Sequence, residues 1–398
     1  MKLLVYDWTF ITRRDLYTTL QQQGIDFELF SSKASPRIKA QEEEFKNDLE
    51  KALQGKKYDA VFSINFHPAV AVAAHDRGML YICWTYDSPA LGGVQPALFL
   101  DTNRIFLFDS FEYDTYTKWK VPNLYYLPLA VDVNKLNRFH PKPMDMLKYQ
   151  ADVSMVGQLY QSDMDKIYPL FDEYSAGYIA ALINTQMNIY GVNIIDELVN
   201  DAVIKRLCNE KVTEVLLRNI NHGFLHDVET LRRTPFSMFL SKAVTNKERV
   251  LLLTLIARYC SVKLYAPDHP NLPGVRECGI VDYEKEMPFV FKCSRINLNI
   301  TLRSIRNGIP QRVIDILGCR ALALTNYQKD LEEYFEDERD LLIYRSAEEA
   351  LDKVKYYLAH EKEAERIRQN GYKIVKDQFS YGHQLNRIWE LSGVKDLL

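Results

Sequence analysis

Short apolar runs alternate with amphipathic stretches along most of the chain. In the first third, runs rich in β-branched and aromatic residues predict six strands: Lys2–Tyr6, Phe27–Phe30, Asp59–Ile64, Leu80–Trp84, Arg104–Phe108 and Leu124–Leu127. Between them, segments such as Arg13–Gln23 and Gln41–Leu53 carry apolar residues three to four positions apart, as amphipathic helices do. Apolar strands joined by helices are typical of a parallel sheet covered on both faces. We therefore predict a doubly wound α/β domain over residues 1–134.

The rest of the chain repeats this alternation, with one interruption. A polar stretch with two prolines, residues 137–150, is predicted to be a linker, and residues 163–242 show helical periodicity with hardly any strand pattern. The other predicted elements are strands Asp152–Val156, Val262–Tyr265, Arg295–Ile300, Ala321–Leu324 and Asp340–Tyr344, and helices Lys285–Lys292, Gln311–Gly318, Ala347–His360, Glu361–Lys376 and Gly382–Leu391. The pattern thus indicates a second α/β domain, residues 150–377, with a helical insertion at about 163–242.

Composition agrees with two folded domains. The chain has 398 residues, more than the roughly 250–300 that one hydrophobic core serves. A formal net charge of -3 gives no reason to expect a nucleic acid as partner.

Asp7 interrupts the N-terminal apolar run, so we expect a strand there and no signal peptide. No apolar run reaches the ~18–20 residues of an integral membrane segment. The six cysteines are scattered without a CxxC pair, which suits a reducing compartment, and we expect the protein to be cytoplasmic.

One segment has the pattern of an anion-binding site. The strand ending at Ile300 is followed by a polar loop and then by the helix Gln311–Gly318. A helix N-terminus at the carboxyl edge of a strand offers unpaired N–H groups and a positive dipole end to a phosphate. Arginine suits bidentate phosphate contacts, and a carboxylate suits the hydroxyl groups of a ribose. The candidate donor-binding residues here are Asn299, Arg303, Ser304, Asn307, Gly308, Arg312 and Asp315. Spacing alone leaves open that the arginines are solvated and that Asp315 makes a local cap or ion pair.

This segment, INLNITLRSIRNGIPQRVIDILGCRALALTN, resembles the donor-site region of the CgeB-like (spore-maturation-protein-like) glycosyltransferases. The residues that match the family pattern are Arg303, Ser304, Gly308, Arg312, Asp315, Gly318 and Thr325–Tyr327. In the first domain, FSINFHP, YICWTYDSPA, IFLFD and NLYYLPLAVDV are similar to the domain that often precedes this one. The resemblance covers most of the chain apart from the helical insertion. The sequence departs from the broader GT-B donor motif at one point. That motif has two glutamates eight positions apart, whereas here Asn307 occupies the first position and Asp315 the second.

The resemblance implies a GT-B fold, in which two Rossmann-like domains face a cleft. It also implies that the closing helical segment, residues 378–398, packs back on the first domain. The second domain would bind a nucleoside-diphosphate sugar, with a UDP-sugar as the expected donor and no other cofactor. The sugar would pass to a hydroxyl of an acceptor protein, glycan or lipid-linked saccharide that enters from the side of the first domain.

Two residues of the first domain are candidates for catalysis. Asp87 follows the strand Leu80–Trp84 and precedes Pro89, so we expect it at a carboxyl edge, where it can take a proton from an attacking hydroxyl. His67 follows another buried strand and is the second candidate base. The structural alternatives are that Asp87 caps the next helix and that His67 only shapes a turn.

Two further residues belong to the predicted donor site. Gly157 ends the strand Asp152–Val156 and permits close approach of a ligand to the backbone, unless it is a simple turn glycine. Tyr283 falls where GT-B enzymes hold the nucleotide base, the alternative being a core tyrosine. The Asp163–Met164–Asp165 triplet has the DxD form of metal-dependent glycosyltransferases, but it opens a predicted helix, where acidic residues are favoured anyway. We therefore predict no metal.

The predicted function is transfer of a sugar from a nucleoside-diphosphate donor to an acceptor hydroxyl. Arg303, Arg312 and the N–H groups at the helix start would stabilise the leaving diphosphate. Two alternatives remain: a nucleotide-sugar epimerase on the same scaffold, and a non-catalytic module that binds a nucleotide-sugar.

Overall fold

The computed structural model describes residues 1–36, 39–91, 93, 95–218 and 228–394. The chain forms two compact units. The first consists mainly of Met1–Leu129 with the C-terminal stretch from Tyr381, and the second mainly of Ala130–Leu216 and Pro235–Ser380. Each is an α/β unit built on a six-stranded parallel sheet.

The sheet of the first unit has the order β2-β1-β3-β4-β5-β6. Its strands are β1 Lys2–Tyr6, β2 Asp26–Phe30, β3 Ala60–Ile64, β4 Leu80–Trp84, β5 Asn103–Leu107 and β6 Leu124–Tyr126. The helices are α1 Arg13–Gln22, α2 Glu42–Leu53, α3 Pro68–His75 and α4 Ser110–Lys118. Every residue of β3 is buried because helices cover both faces of the sheet. All six strands were predicted from the sequence, with ends that differ by one residue at most.

The second sheet has the order β12-β11-β10-β7-β8-β9 and is also parallel. Its strands are β7 Ala151–Val156, β8 Val262–Tyr265, β9 Val275–Glu277, β10 Ser294–Asn299, β11 Ala323–Asn326 and β12 Leu342–Tyr344. The edge strand β9 was not predicted, because its three residues, two half-exposed and one exposed, give no apolar run. The other five strands were predicted, and the doubly wound α/β fold is confirmed in both units.

Residues 130–149 belong to the second unit, so the predicted linker is wrong over much of its length. They form α5 Val133–Asn137 and α6 Pro143–Tyr149. The prolines suggested a break, but Pro143 occupies the first turn of α6, where its missing N–H costs nothing. Lys148 and Tyr149 at the end of this helix both bind the carboxylate of Glu286 at 2.8 Å, which fastens the segment to the unit.

Between β7 and β8 the described residues form helices, as predicted. The helices are α7 Gln161–Ile167, α8 Glu173–Met187, α9 Ile195–Leu198, α10 Asp201–Leu207, α11 Glu210–Arg218 and α12 Val228–Ile256. The last helix runs well beyond residue 242, since Leu252, Leu253 and Ile256 near its end pack into the core under the sheet. It therefore joins the insertion directly to the α/β core.

The remaining helices follow β9. They are α13 Met287–Cys293, α14 Gln311–Gly318, α15 Leu331–Tyr334, α16 Ala347–Ala359, α17 Glu361–Gln378 and α18 Tyr381–Leu391. The last of these, α18, lies in the first unit, where Trp389 donates to Gln23 Oε1 at 3.0 Å and packs on Phe62. Over the residues described, no helix combines the length and apolar character needed to cross a membrane.

Candidate active site

The loop after β10 is held in place by side chains at the strand ends. Asn299 donates from Nδ2 to the hydroxyls of Thr301 and Thr325 at 3.1 and 2.9 Å. Asn326 accepts the Thr301 N–H at 2.7 Å. Asn299 is thus buried among these groups and shapes the start of the loop. The Asn326 amide and the Thr325 hydroxyl satisfy backbone groups that the sheet no longer pairs.

Further along, the loop is fastened to the segment after β11. Gln328 donates to the carbonyl oxygens of Ile305 and Gly308 at 3.2 and 3.4 Å, and the Asp330 N–H donates to the carbonyl of Asn307 at 3.0 Å. Ser304 lies half-exposed in the turn that the Ile305 N–H closes on Leu302. The loop therefore has a defined shape before any ligand binds.

The helix α14 begins directly after this loop. Its N-cap is Pro310, which has no side-chain acceptor for the N–H groups of the first turn. The Val313 N–H donates to the Pro310 carbonyl at 3.0 Å, and the helix dipole adds a positive end near the N–H groups that precede it. The start of α14 therefore has the electrostatic character that the sequence predicted for an anion site.

Asp315 is the most buried carboxylate near this point, at 1% exposure. Its Oδ1 accepts from the Tyr283 hydroxyl at 3.0 Å and from Gln311 Nε2 at 2.9 Å. Its Oδ2 is buried with no hydrogen-bond donor among the described residues and lies 3.5 Å from Arg312 Nη1. Burial raises the pKa of the Asp315 carboxyl, although Arg312, Gln311 and Tyr283 each favour the ionised form. One oxygen of this carboxylate is thus open to a further donor.

Arg312 and Tyr283 complete this cluster. The Arg312 guanidinium contacts Met287 Sδ and lies 5.7 Å from the centroid of the Phe291 ring, with 26% of its side chain exposed. Lys135 Nζ lies 5.9 Å from the centroid of the Tyr283 ring. Tyr283 is thus a partner of Asp315 as well as a half-exposed aromatic surface. The structure brings Arg312, Asp315 and Tyr283 together, as the prediction of one donor site required.

Arg303 is engaged elsewhere. Its guanidinium pairs with Glu248 Oε2 at 2.7 Å, donates to the Ile189 carbonyl at 3.2 Å and lies 4.4 Å from the centroid of the Tyr190 ring. Its backbone N–H donates to Thr245 Oγ1 at 3.1 Å. We expected this arginine to bind phosphate, but the structure commits its charge to a buried carboxylate. That partner lies 55 residues away, and no local pattern in the sequence points to it.

Gly157 follows β7 and lies against Arg249 of α12. A Cβ at Gly157 would lie 3.4 Å from Arg249 Nη1. The position therefore brings the backbone close to a buried guanidinium. Arg249 and Glu248 were not singled out from the sequence, where α12 shows only a long helical pattern. Gln311 and Lys135 were also missed, although Gln311 stands one turn before Asp315.

In the first unit, Asp87 lies exposed just beyond β4. Its Oδ2 accepts from Asn65 Nδ2 at 2.7 Å, and Asn65 Oδ1 accepts the N–H groups of Tyr86 and Asp87. Asn65 adopts a positive φ of 62° at the end of β3, which turns its side chain back toward Asp87. The carboxylate is thus held at the carboxyl edge of the sheet, as predicted.

His67 has a different environment from the one we expected. It is 1% exposed, with its ring 4.9 Å from that of Tyr6 and 6.0 Å from that of Trp8. Its Nε2 lies 3.3 Å from the carbonyl oxygen of Ile64. An imidazole packed in this way cannot meet an acceptor hydroxyl without rearrangement, so the geometry favours the structural alternative. The residues that bury it come from β1 and its following turn, which the local sequence around His67 does not reveal.

Asp165 of the DxD triplet accepts from Gln161 Nε2 at 2.8 Å within α7. Across the described ranges, no group of three or more His, Cys, Asp or Glu side chains is placed to hold a metal ion. All six cysteines are free thiols.

Comparison with known proteins agrees with this architecture. A family model described as glycosyl transferase-like matches residues 233–390, which include β10, α14 and the loop between them. The structure is similar to sucrose-phosphate synthase from Thermosynechococcus elongatus, with 10% identity, a TM-score of 0.59 and 98% of each chain covered. The chain has the GT-B fold.

Two more structures support the fold over the same length. HepE from Anabaena, solved in complex with UDP and glucose, has 11% identity, a TM-score of 0.54 and 98% of each chain covered. A glycosyltransferase from Rickettsia africae has 9% identity and a TM-score of 0.55, with 98% of this chain and 97% of that chain covered. At such identities the likeness of this GT-B protein to its neighbours concerns the fold. No curated protein matches the chain.

Proposed function

We propose that the protein transfers a sugar from a nucleoside-diphosphate donor to an acceptor hydroxyl, with the donor bound at the carboxyl edge of the second sheet. The observation that carries the proposal is the Asp315 cluster. A buried carboxylate there keeps one oxygen without a donor, beside Arg312 and one turn inside a helix that begins without a side-chain cap. A ligand with hydroxyl and phosphate groups satisfies both features at once.

In this proposal, Asp315 binds the ribose. Its Oδ2 accepts a hydrogen bond from a ribose hydroxyl, while Tyr283 and Gln311 hold Oδ1 and so orient the carboxylate. Buried polar atoms are nearly always paired in folded proteins, so an acceptor with no donor among the described residues favours a ligand partner. Tyr283 then acts mainly through Asp315, with its ring available to the base.

The diphosphate lies at the N-terminus of α14, where Arg312 stabilises the charge that develops on the leaving group. These groups supply the positive charge that a metal ion supplies in other transferases, so we propose a metal-independent reaction. A uridine nucleotide is the expected donor, supported by HepE from Anabaena, which was solved with UDP-glucose and has 10% identity and a TM-score of 0.54. The finer assignment to the CgeB-like group rests on the sequence resemblance.

For the acceptor we retain Asp87 as the general base of an inverting reaction and withdraw His67, because His67 is buried between aromatic rings. Asp87 is exposed and oriented by Asn65, so a hydroxyl can reach it. The acceptor is a protein, a glycan or a lipid-linked saccharide.

The test begins with a thermal-shift screen of UDP-, GDP-, dTDP- and CDP-sugars. A ligand that binds only the folded state raises apparent stability by RT ln(1 + [L]/Kd). We expect one class of nucleotide-sugar to raise Tm in the wild type and to lose most of that effect in Asp315→Asn. Products are then analysed with donor alone and with donor plus candidate acceptors. An epimerase releases altered or free sugar from donor alone, and a binding module shows a shift without turnover in either case. No shift with any nucleotide-sugar would contradict the proposal.

A further inference from the structure

The helix α12 carries a buried arginine that the proposed donor site does not yet use. Arg249 is 8% exposed, and its Nη1 and Nη2 donate to the backbone carbonyls of Gln158 and Ile300. Its Nε is buried and has no hydrogen-bond partner in the part of the chain that the structure describes. These carbonyls follow β7 and β10, so the guanidinium lies where the two central strands of the second sheet end.

The charges around Arg249 do not balance. The neighbouring carboxylate, Glu248, is 2% exposed, and Arg303 pairs with it at 2.7 Å. Its other oxygen accepts from the hydroxyls of Tyr190 and Tyr344 at 2.7 and 3.0 Å. Two guanidinium groups therefore share one carboxylate, and within the described ranges Arg249 has no ion pair of its own. A guanidinium stays charged in proteins, so the cluster carries one uncompensated positive charge.

Such a charge is costly in the absence of an anion. Removing an ion from water carries a penalty that a partner of opposite charge must offset. Burial lowers the pKa of Arg249, which expresses the same penalty. Backbone carbonyls offset only part of it. An anionic ligand beside this guanidinium would complete the balance.

A second cation lies near Arg249. The guanidinium packs against the backbone at Gly157, where a Cβ would approach Nη1 to 3.4 Å. Arg249 and Lys242 both lie against the ring of Tyr160, at 5.4 and 5.7 Å from its centroid. Because these two residues are seven apart on one helix, they share a face. Two cations of α12 thus gather at the carboxyl edge of the sheet.

We propose that Arg249, with Lys242, forms a subsite for the diphosphate of the donor, so that the helical insertion is a working part of the donor site. The inference rests on the proposed function for the nature of the ligand. Arg303 is then a positioning residue, because its pairing with Glu248 and the bond from its N–H to Thr245 fasten the loop after β10 to the same helix. Arg312 and Arg249 approach the diphosphate from α14 and α12 respectively.

The experiment compares ligands that differ only in phosphate. Calorimetric titration with uridine, UMP and UDP is carried out on the wild type, Arg249→Lys and Lys242→Met. We expect Arg249→Lys to weaken UDP binding by roughly ten- to hundredfold, the usual effect of losing a hydrogen bond to a charged group. The affinity for uridine stays unchanged. The Lys242 side chain is half-exposed, so we expect Lys242→Met to weaken UDP binding by a smaller factor. This variant tests the subsite if Arg249→Lys does not fold.

Lys247→Met is the matched control. It removes the same charge from the same helix, but this side chain is exposed and donates to Asn184 instead. We expect its UDP to uridine affinity ratio to equal that of the wild type. A ratio that is also unchanged in Arg249→Lys and Lys242→Met would overturn the subsite while leaving the proposed function intact.

Pyrophosphate separates the two proposals. It is titrated against the same variants as a probe that needs no base or ribose. Binding of pyrophosphate that depends on Arg249, with no binding of any nucleotide, would support the anion subsite and count against the nucleotide-sugar function. Nucleotide binding that Arg249→Lys weakens equally for uridine and UDP would show a purely structural arginine.

Discussion

At the scale of single residues, Arg312 lies in the first turn of α14, where the proposed reaction would place the leaving diphosphate. If its contact with the leaving group strengthens in the transition state, Arg312→Ala is expected to lower kcat by ~10²–10³-fold, with a smaller rise in donor KM. Arg312→Lys should recover only part, because a point charge does not reproduce a two-pronged contact. Steady-state kinetics with varied donor measure both parameters.

A matched control is Arg295→Ala at the opposite end of β10, where the arginine pairs with Asp152 and Glu361. This variant should keep kcat near wild type, since it loses the same charge far from the carboxyl edge. A kcat for Arg312→Ala within threefold of wild type would remove the phosphate role from Arg312.

Asp315→Asn is expected to act mainly on donor binding. Ribose contacts are the same in the ground and transition states, so their loss raises KM and leaves kcat nearly constant. A hydrogen bond to a charged group contributes about 1.5–3 kcal/mol, and we expect donor KM to rise by roughly one to two orders of magnitude. Tyr283→Phe, which removes one of the donors that orient Asp315, should show a weaker form of the same effect. An Asp315→Asn enzyme with wild-type donor KM would contradict the assignment.

Glu112 on α4 gives the first unit a pH dependence. The carboxyl is 6% exposed and accepts the Ala90 N–H at 2.8 Å. Burial, with the nearby charge of Asp109, raises its pKa from 4.5 to about 8. Between these values the folded protein keeps a proton that the unfolded chain releases, so rising pH favours unfolding across this window.

Glu112→Gln keeps the hydrogen-bond acceptor and removes the titration. We therefore expect the free energy of unfolding to fall more steeply from pH 5 to pH 8 in the wild type than in Glu112→Gln, by roughly 1.4 kcal/mol per unit at most. Urea denaturation at several pH values measures the difference. Parallel curves for the two proteins would show that Glu112 ionises normally in the folded state.

At the scale of elements, α14 is placed by its crossing with α17. Gly371 of α17 lies at the contact, where an added Cβ would overlap the carbonyl oxygen of Asp340 and lie 2.8 Å from Leu317 Cδ2. The absence of a side chain therefore lets the helix that carries Asp315 pack closely.

Gly371→Ala is expected to destabilise the protein by about 1–3 kcal/mol, the usual cost of overpacking. Gly177→Ala in α8 is the control, because nothing lies within 4 Å of its added Cβ. There the substitution should stabilise by about 0.5–1 kcal/mol, since glycine disfavours a helix. Chemical denaturation of the two variants distinguishes the effects by sign, and equal changes would exclude a tight crossing at Gly371.

The helix α12 shows how one element links distant parts of the second unit. Thr245, Glu248 and Arg249 lie on one face and reach the loop after β10 and the end of β7. The apolar positions near its end enter the core under the sheet. An insertion joined to the core in this way is suited to hold a binding loop in a fixed shape.

At the scale of the whole molecule, the cations that the structure collects at the second sheet lead us to expect activity without a metal ion. Turnover of the donor should be the same with and without EDTA, because Arg312, Arg249 and the start of α14 can stabilise the diphosphate. Initial rates before and after chelation, and after addition of Mg²⁺ or Mn²⁺, test this. Loss of activity with EDTA that either cation restores would contradict it.

Much of this molecule could be predicted from the chain alone. Buried parallel strands such as β3 and β4 appear as continuous apolar runs, and the loop before α14 stands out by its polarity. Gly157, Arg312, Asp315 and Tyr283 all proved to lie in the second unit at or near the carboxyl edge, though their roles in binding stay predictions. The short edge strand β9 was missed, and the helix that starts at Pro143 was predicted to be a linker. In both cases the local sequence pattern does not distinguish the element from a loop.

The sequence by itself determined the two α/β units, the helical insertion and the segment where a phosphate ligand is expected, because hydrophobic periodicity and helix-start chemistry are local. Only the tertiary structure decided which charges remain available. It paired Arg303 with a carboxylate 55 residues away and buried His67 against Tyr6 and Trp8. It also left Arg249 without an ion pair among the described residues. Charge compensation and burial depend on neighbours that folding brings together, and no spacing along the chain encodes them.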